Sequence, residues 1–210
     1  MINLVIAYDD NDSDLGEYFE DCFNSTRDVV SQLNSISYNS LRGLDCTEQN
    51  INARIQPLNH QSFIFVCFSH GDSSGECLLT QNEVFVSISN VTFFCNSFFY
   101  TTACCVALEL GSNLINSNCF CFIGYNDSSW ATYEDFYPTY IACESYSLVE
   151  FLRTTKTIQQ TFDEMQAYFD EQITLLYDQN EILVAMELER NRDCLVLLGN
   201  GSLTSSDFHV

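Results

Sequence analysis

Two side chains with complementary chemistry follow predicted strands at separate places in the chain. His70 comes directly after the apolar segment 62–69, and Cys104 comes directly after segment 97–103. Because the carboxyl ends of parallel strands meet at one edge of an open sheet, we expect the imidazole and the thiol to lie close together. A thiol attacks as its thiolate, and a neighbouring imidazole can generate that species. The pair therefore predicts nucleophilic catalysis by Cys104 with His70 as the base.

Gly71 adds a second chemical feature beside the predicted base. An N–H group with no side chain in the way can point at a developing oxyanion, and the N–H of Cys104 can supply a second donor. The neighbouring Cys105 leaves one alternative open, since a strand that ends one residue later would turn Cys105 towards the cleft. Gly71 and Cys104 are the predicted oxyanion donors.

The elements that must position these groups are apolar runs alternating with helical patterns. The predicted strands of the main sheet are segments 2–8, 35–38, 62–69, 97–103, 119–125 and 193–199. Segment 75–87 predicts a small hairpin around Gln81-Asn82, outside that sheet. We expect one α/β domain over residues 1–210, with a mostly parallel six-stranded sheet between two layers of helices.

Helix signals lie between these strands. Ser13, Thr47 and the capping box Thr157 to Gln160 predict helix starts, and Pro138 fits the first turn of another helix. A helix from about Cys105 to Asn116 is expected directly after the fourth strand. Two helices are expected between the 130–137 loop and the final strand.

Composition narrows the possible functions. Seven basic residues against 29 acidic ones give a formal charge of -22, which disfavours binding to phosphate backbones. Eleven cysteines, an odd number, and the lack of a secretory signal favour a reducing compartment, hence the cytoplasm. Polar residues interrupt the most apolar stretch, Val91 to Leu110, so we expect no membrane span. No Cys-x-x-Cys pair or glycine-rich phosphate loop is present, so neither a metal nor another cofactor is predicted.

The segments around the predicted dyad resemble those of the caspase-like cysteine peptidases, a group that includes caspases, gingipains, clostripain and the CHAT proteases. That family carries a strand ending in His-Gly and a strand ending in Ala-Cys that leads into a helix. Here these are FIFVCFSHG (Phe63 to Gly71) and FFYTTACC (Phe98 to Cys105). CFIGYND (Cys121 to Asp127) and CLVLLGNGSL (Cys194 to Leu203) resemble segments of the gingipain and CHAT side of the group, and the small bacterial CHAT proteases are the nearest match. The caspase signature Gln-Ala-Cys-x-Gly is absent.

The resemblance implies roles for single residues. It makes His70 the base, Cys104 the nucleophile and Gly71 an oxyanion donor, and the Ala-Cys match favours Cys104 over Cys105. Relatives of the gingipain and clostripain type place a carboxylate in the pocket for the residue before the cut. Asp9, Asp10 and Asp127 are the candidates here, and they imply a basic residue at that place in the substrate. Such acids can also simply begin a helix, where negative charge suits the dipole.

The sequence thus favours a cysteine endopeptidase that works through a Cys-His dyad and an acyl-enzyme. A protein or peptide is the expected substrate, and the lack of a second domain suggests an activating partner protein. Small bacterial relatives act in defence and cell-death systems, so the resemblance suggests that setting. The alternative is a catalytically silent caspase-like module that serves as a binding or scaffold protein.

Overall fold

A computed structural model describes residues 1–58, 60–81 and 83–210 of the chain, and the elements named below lie in these ranges. The strands are β1 (Ile2–Tyr8), β2 (Ile36–Arg42), β3 (Phe63–Phe68), β4 (His70–Gly71), β5 (Cys77–Thr80), β6 (Glu83–Ser87), β7 (Ser97–Thr101), β8 (Cys121–Tyr125) and β9 (Leu195–Gly199). The α-helices are α1 (Gly16–Val30), α2 (Glu48–Ile55), α3 (Leu110–Asn116), α4 (Tyr137–Arg153), α5 (Ile158–Asp178) and α6 (Ile182–Cys194).

The main sheet confirms the predicted mostly parallel arrangement. Its six strands lie in the order β2-β1-β3-β7-β8-β9. β1 pairs in parallel with β2 and β3, and β7 pairs in parallel with β3 and β8. β9 runs antiparallel to β8. β3, with the sequence FIFVCF, lies between β1 and β7 and is buried at every position. Such continuous apolar runs are typical of strands that are covered on both faces.

Helices cover the two faces of the sheet and create two separate cores. Leu4 and Ile6 of β1 point into a core with α1, α4, α5 and α6, whereas Val5 and Ala7 point into a core with α2 and α3. Successive side chains of a strand alternate between faces, which explains this division. The chain is therefore an α/β protein with three layers.

Two helix predictions need correction. The helix after β7 begins at Leu110 and not near Cys105, because residues 106–109 form turns first. Three helices, not two, lie between the 130–137 loop and the last strand, because Ile182–Cys194 forms α6. Its apolar residues do not form one stripe: Ile182, Leu183 and Met186 are exposed while Val184 and Leu188 are buried.

Side-chain caps mark where two helices, α2 and α5, begin. Thr47 accepts a hydrogen bond from the Asn50 N–H at 3.2 Å, as predicted. The capping box of Thr157 and Gln160 is confirmed at the start of α5, and Pro138 lies in the first turn of α4. Ser13 was wrongly predicted as a cap. The Asp12 carboxylate accepts the N–H groups there, and α1 begins only at Gly16.

The predicted hairpin is part of a separate three-stranded sheet. β5 and β6 pair with each other, and β4, the two residues His70 and Gly71, pairs with β5. Gln81 of the predicted turn has a positive φ of 43°, and Asn82 lies outside the described residues. This small sheet holds His70-Gly71 immediately after β3 ends.

We expect Thr157→Ala to lower the free energy of unfolding by about 1 kcal/mol, because it removes the hydroxyl that caps α5. Ser13→Ala is the matched control and should change that energy by less than about 0.5 kcal/mol, since among the described residues its hydroxyl hydrogen-bonds to the exposed Asp14 carboxylate alone. Urea unfolding followed by circular dichroism measures both values. Equal losses in the two variants would contradict the assignment of the caps.

Candidate functional site

The ends of three neighbouring strands meet at one edge of the main sheet. The Asp9 N–H, just after β1, donates to the Phe68 carbonyl at the end of β3, at 3.0 Å. The Thr102 N–H, just after β7, donates to the Cys67 carbonyl at 3.3 Å. The chain segments that leave these strands are therefore fixed against each other, as the parallel topology requires.

His70 is held by a carboxylate that follows β1. The Asp12 Oδ2 lies 3.2 Å from the His70 Nε2. The imidazole edge also packs against the Phe19 ring, with the ring centroids 5.2 Å apart. Among the described residues no hydrogen bond involves the His70 Nδ1, so this nitrogen is the one open to a reacting group.

The Asp12 carboxylate is fixed as an anion. Its Oδ1 accepts the N–H groups of Asp14 at 2.9 Å and Leu15 at 2.8 Å. Partial burial alone would raise the pKa of Asp12, but these N–H groups and the His70 ring outweigh it and hold the pKa below its ordinary value. The Asp12 carboxylate therefore fixes the orientation of the imidazole.

Cys104 and His70 line the same cavity. The cavity measures about 30 Å³, and its wall also includes Thr102, Ser129 and Trp130. The Ser129 N–H donates to the Cys104 Sγ at 3.3 Å, and the Ser129 hydroxyl lies 3.3 Å from the same sulfur. In residues 1–58, 60–81 and 83–210, no hydrogen bond joins this sulfur to the His70 ring. The structure thus brings the two predicted groups to one cavity while the thiol contacts Ser129.

Gly71 lies directly against the backbone of Cys104. A Cβ atom at position 71 would stand 2.0 Å from the Cys104 carbonyl oxygen and 2.7 Å from the Val106 Cγ1. Real Cβ atoms do not approach that closely, so only glycine permits this contact. Within the described part of the chain, the Cys104 N–H makes no backbone or side-chain hydrogen bond. Of the two predicted oxyanion donors, Cys104 therefore lines the cavity and Gly71 packs against its backbone.

Cys105 lies outside this cavity. Its side chain is 8% exposed, and its backbone φ is +63°, a left-handed conformation that is unusual for cysteine. The Cys105 N–H donates to the Asp127 carbonyl at 3.0 Å. Burial, followed by the nearby Cys104, raises the pKa of the Cys105 thiol. The sharp turn at Cys105 directs the two neighbouring thiols to different surroundings.

The three carboxylates predicted to line the substrate pocket, Asp9, Asp10 and Asp127, do not line the cavity that His70 and Cys104 share. Asp9 is fully buried and accepts the N–H groups of Asn11 and Gln81, in the wall of a separate cavity of about 100 Å³. Asp10 is 3.6 Å from Arg42, and Asp127 is 3.3 Å from Arg190.

Glu144 of α4 is the functional candidate that the sequence did not reveal. It is 4% exposed, it lines the dyad cavity, and its carboxylate accepts the hydroxyls of Tyr18 at 2.6 Å and Tyr125 at 2.8 Å. Burial raises the pKa of Glu144 to about 7, although the two hydroxyls act in the opposite direction. Thr102 lines the same cavity, and its buried hydroxyl has no hydrogen-bond partner among the described residues.

Residues 1–58, 60–81 and 83–210 contain neither a candidate metal site nor a candidate membrane-spanning helix. No group of three or more His, Cys, Asp or Glu side chains is arranged to hold a metal ion. No helix there combines the length and the hydrophobicity that crossing a bilayer requires. All eleven cysteines are free thiols.

The chain matches none of the protein-family models, and it matches no curated protein.

We expect the pH dependence of stability to report on Glu144. Its pKa in the folded chain is raised, so folding favours the protonated carboxyl, and this contribution is lost as pH rises from about 4.5 through about 7. Glu144→Gln keeps a neutral side chain at every pH. Relative to the wild type, the variant should therefore gain up to about 3 kcal/mol between pH 4.5 and pH 7.5.

Urea unfolding at several pH values measures this difference. Glu187→Gln is the matched control, because Glu187 also accepts a tyrosine hydroxyl, that of Tyr140 at 2.6 Å, but is only partly buried. A Glu144→Gln difference that stays constant across the range would show that the carboxyl is not perturbed by burial.

Proposed function

We propose that the chain is a cysteine endopeptidase of the caspase-like kind, with Cys104 as nucleophile and His70 as base. One observation carries the proposal: the two side chains leave neighbouring parallel strands and line one cavity. The mostly parallel six-stranded sheet and the His-Gly and Ala-Cys strand ends support the caspase-like assignment. The free, mostly buried thiols support a reducing cytoplasmic location.

The proposed reaction uses the groups already described. The His70 Nδ1 takes the thiol proton, and the Cys104 sulfur bonds to the scissile carbonyl carbon. The N–H groups of Gly71 and Cys104 stabilise the resulting oxyanion. When the C–N bond breaks, the leaving amine takes the proton from the imidazolium, and a thioester remains. His70 then removes a proton from water, the hydroxide attacks the thioester, and the acid product and the thiol are released.

The contact between Cys104 and Ser129 supports a need for activation. The thiol hydrogen-bonds to the loop after β8, so the sulfur and the His70 Nδ1 must approach each other before proton transfer. Binding of the substrate or of a partner protein at this loop would supply that rearrangement. Catalytic hydrogen bonds are often formed only in the substrate complex.

Two polar groups in the cavity wall support a substrate side chain that donates hydrogen bonds, as Arg and Lys do. They are Glu144 and the Thr102 hydroxyl, which has no hydrogen-bond partner among the described residues. Because a cavity of about 30 Å³ holds only one or two water molecules, a long side chain can enter only if the exposed Trp130 moves. We therefore propose that the substrate carries a basic residue before the cut. Glu144, instead of Asp9, Asp10 or Asp127, would bind that residue.

We expect Cys104→Ala to lower kcat/KM at least about 1,000-fold, because no other group can form the acyl-enzyme. The assay is cleavage of an unfolded protein and of peptides with Arg, Lys, Asp or Leu before the cut. Cys105→Ala is the matched control and should retain activity, since Cys105 is buried outside the cavity. Turnover by Cys104→Ala would rule out the nucleophile.

The scaffold alternative is separated by thiol labelling. A peptidyl reagent that alkylates active-site cysteines should modify Cys104 rapidly and the other cysteines slowly in the peptidase. If the wild-type chain cleaves nothing and all thiols react slowly, the protein is a silent binding module instead.

We expect Asp12→Asn to lower kcat/KM at least about 10-fold, because it removes the anion that orients His70 and stabilises its cation. The asparagine oxygen can still accept the N–H groups of Asp14 and Leu15, so the midpoint of thermal unfolding should change little. Asp14→Asn is the control, since Asp14 is exposed and does not contact the ring. Unchanged turnover in Asp12→Asn would exclude an orienting role.

A further inference from the structure

The loop after β8 supplies the polar contacts of the Cys104 sulfur. The Ser129 N–H points at Sγ from 3.3 Å. The Ser129 hydroxyl is also near the sulfur, but it lies within hydrogen-bond distance of the Thr102 carbonyl, at 3.3 Å, which can take its proton. The backbone N–H is therefore the fixed hydrogen-bond donor to the sulfur.

Such a donor distinguishes the two states of a thiol. A hydrogen bond to the charged form of a group favours that form, and a thiolate is a stronger acceptor than a thiol. When Cys104 loses its proton, it loses the contact in which its S–H faces the Ser129 carbonyl, at 3.6 Å. The bond from the Ser129 N–H remains and becomes stronger.

Asn191 of α6 fixes the residue next to Ser129 at two points. The Trp130 N–H donates to the Asn191 Oδ1 at 2.8 Å, and the Asn191 Nδ2 donates to the Trp130 carbonyl at 2.7 Å. Asn191 is 0% exposed, so water does not compete for these bonds. Since the peptide between Ser129 and Trp130 is planar, holding the Trp130 N–H also holds the Ser129 carbonyl and Cα, and the Ser129 N–H extends from that Cα.

We propose that Asn191 is a positioning residue that sets the thiolate fraction of Cys104 through the Ser129 N–H. Asn191 does not touch the sulfur, and its effect passes through the loop backbone. The inference rests on the proposed function only in taking Cys104 as the nucleophile. Its test measures the thiol without any substrate, so it can fail or succeed independently of peptidase activity.

The ionisable groups that face the sulfur come from several elements. They are His70 from β4, Tyr18 from α1, Glu144 from α4, the adjacent Cys105 and, through His70, Asp12. An apolar substitution at position 191 leaves all of these groups in the chain. It removes a long contact of 3.5 Å between the Asn191 Nδ2 and Glu144, and it adds no charge.

The experiment follows alkylation of Cys104 by iodoacetamide in a Cys105→Ala background, with the site resolved by mass spectrometry. Asn191→Leu should lower the alkylation rate at pH 7 about tenfold. At pH 10, where thiols are largely ionised with or without the donor, the rate should change less than about twofold. A merely structural role for Asn191 would not produce this dependence on pH.

Two controls sharpen the result. Asn90→Leu removes another 0% exposed asparagine that holds backbone groups, the Ser87 N–H and the Phe85 carbonyl, and it should leave Cys104 alkylation unchanged. Ser129→Ala keeps the N–H and should change the rate less than about twofold.

Wild-type alkylation rates in a folded Asn191→Leu variant would overturn the proposal. An equal fall in Asn90→Leu would overturn it too, since the effect would then not be specific to the loop. If Asn191→Leu does not fold, Asn191→Ser, which leaves room for water at the released backbone groups, carries the same expectation and the same criteria.

Discussion

The candidate site depends on the close contact between the backbones of Gly71 and Cys104. The parallel register of β3 and β7 brings the two chain segments to the same edge, but a side chain at position 71 would force them apart. The contact places His70 beside the cavity that Cys104 lines, and the short strand β4 keeps it there by pairing with β5. His70 and Cys104 are thus located by backbone packing, before any side-chain hydrogen bond contributes.

Two carboxylates near the cavity have pKa values that are shifted in opposite directions. Asp12 accepts backbone N–H groups and faces His70, which keeps its pKa low and its charge present. Glu144 is buried between tyrosine hydroxyls, which leaves its pKa near 7 and its charge partly suppressed. The Asp12 carboxylate therefore lies beside the imidazole, whereas Glu144, whose pKa is raised, lies in the wall of the cavity. Environments that separate the pKa values of paired acids are typical of sites for acid–base chemistry.

Much of the fold, and the choice of His70 and Cys104 as candidate site residues, could be derived from the sequence because the sequence signals are local. Buried strands such as β3 are continuous apolar runs, and strand ends in a parallel sheet indicate where polar groups gather. The predicted start of α3 was wrong because the chain turns at Cys105 with a positive φ, which no local propensity predicts. α6 was missed because exposed and buried apolar residues alternate along it without one stripe. The roles of Asp12, Glu144 and Asn191 depend on tertiary contacts, so spacing in the sequence could not identify them.

The position of Asn191 in the chain affects how the protein is made. Cys104 and the loop around Ser129 leave the ribosome well before α6 does, and at about 5–20 residues per second the interval lasts several seconds. During that interval the loop lacks the side chain that fixes Trp130 at both backbone groups. In a nascent chain the loop around the Cys104 thiol therefore lacks its contacts with Asn191. The order of synthesis delays completion of the site until α6 has folded.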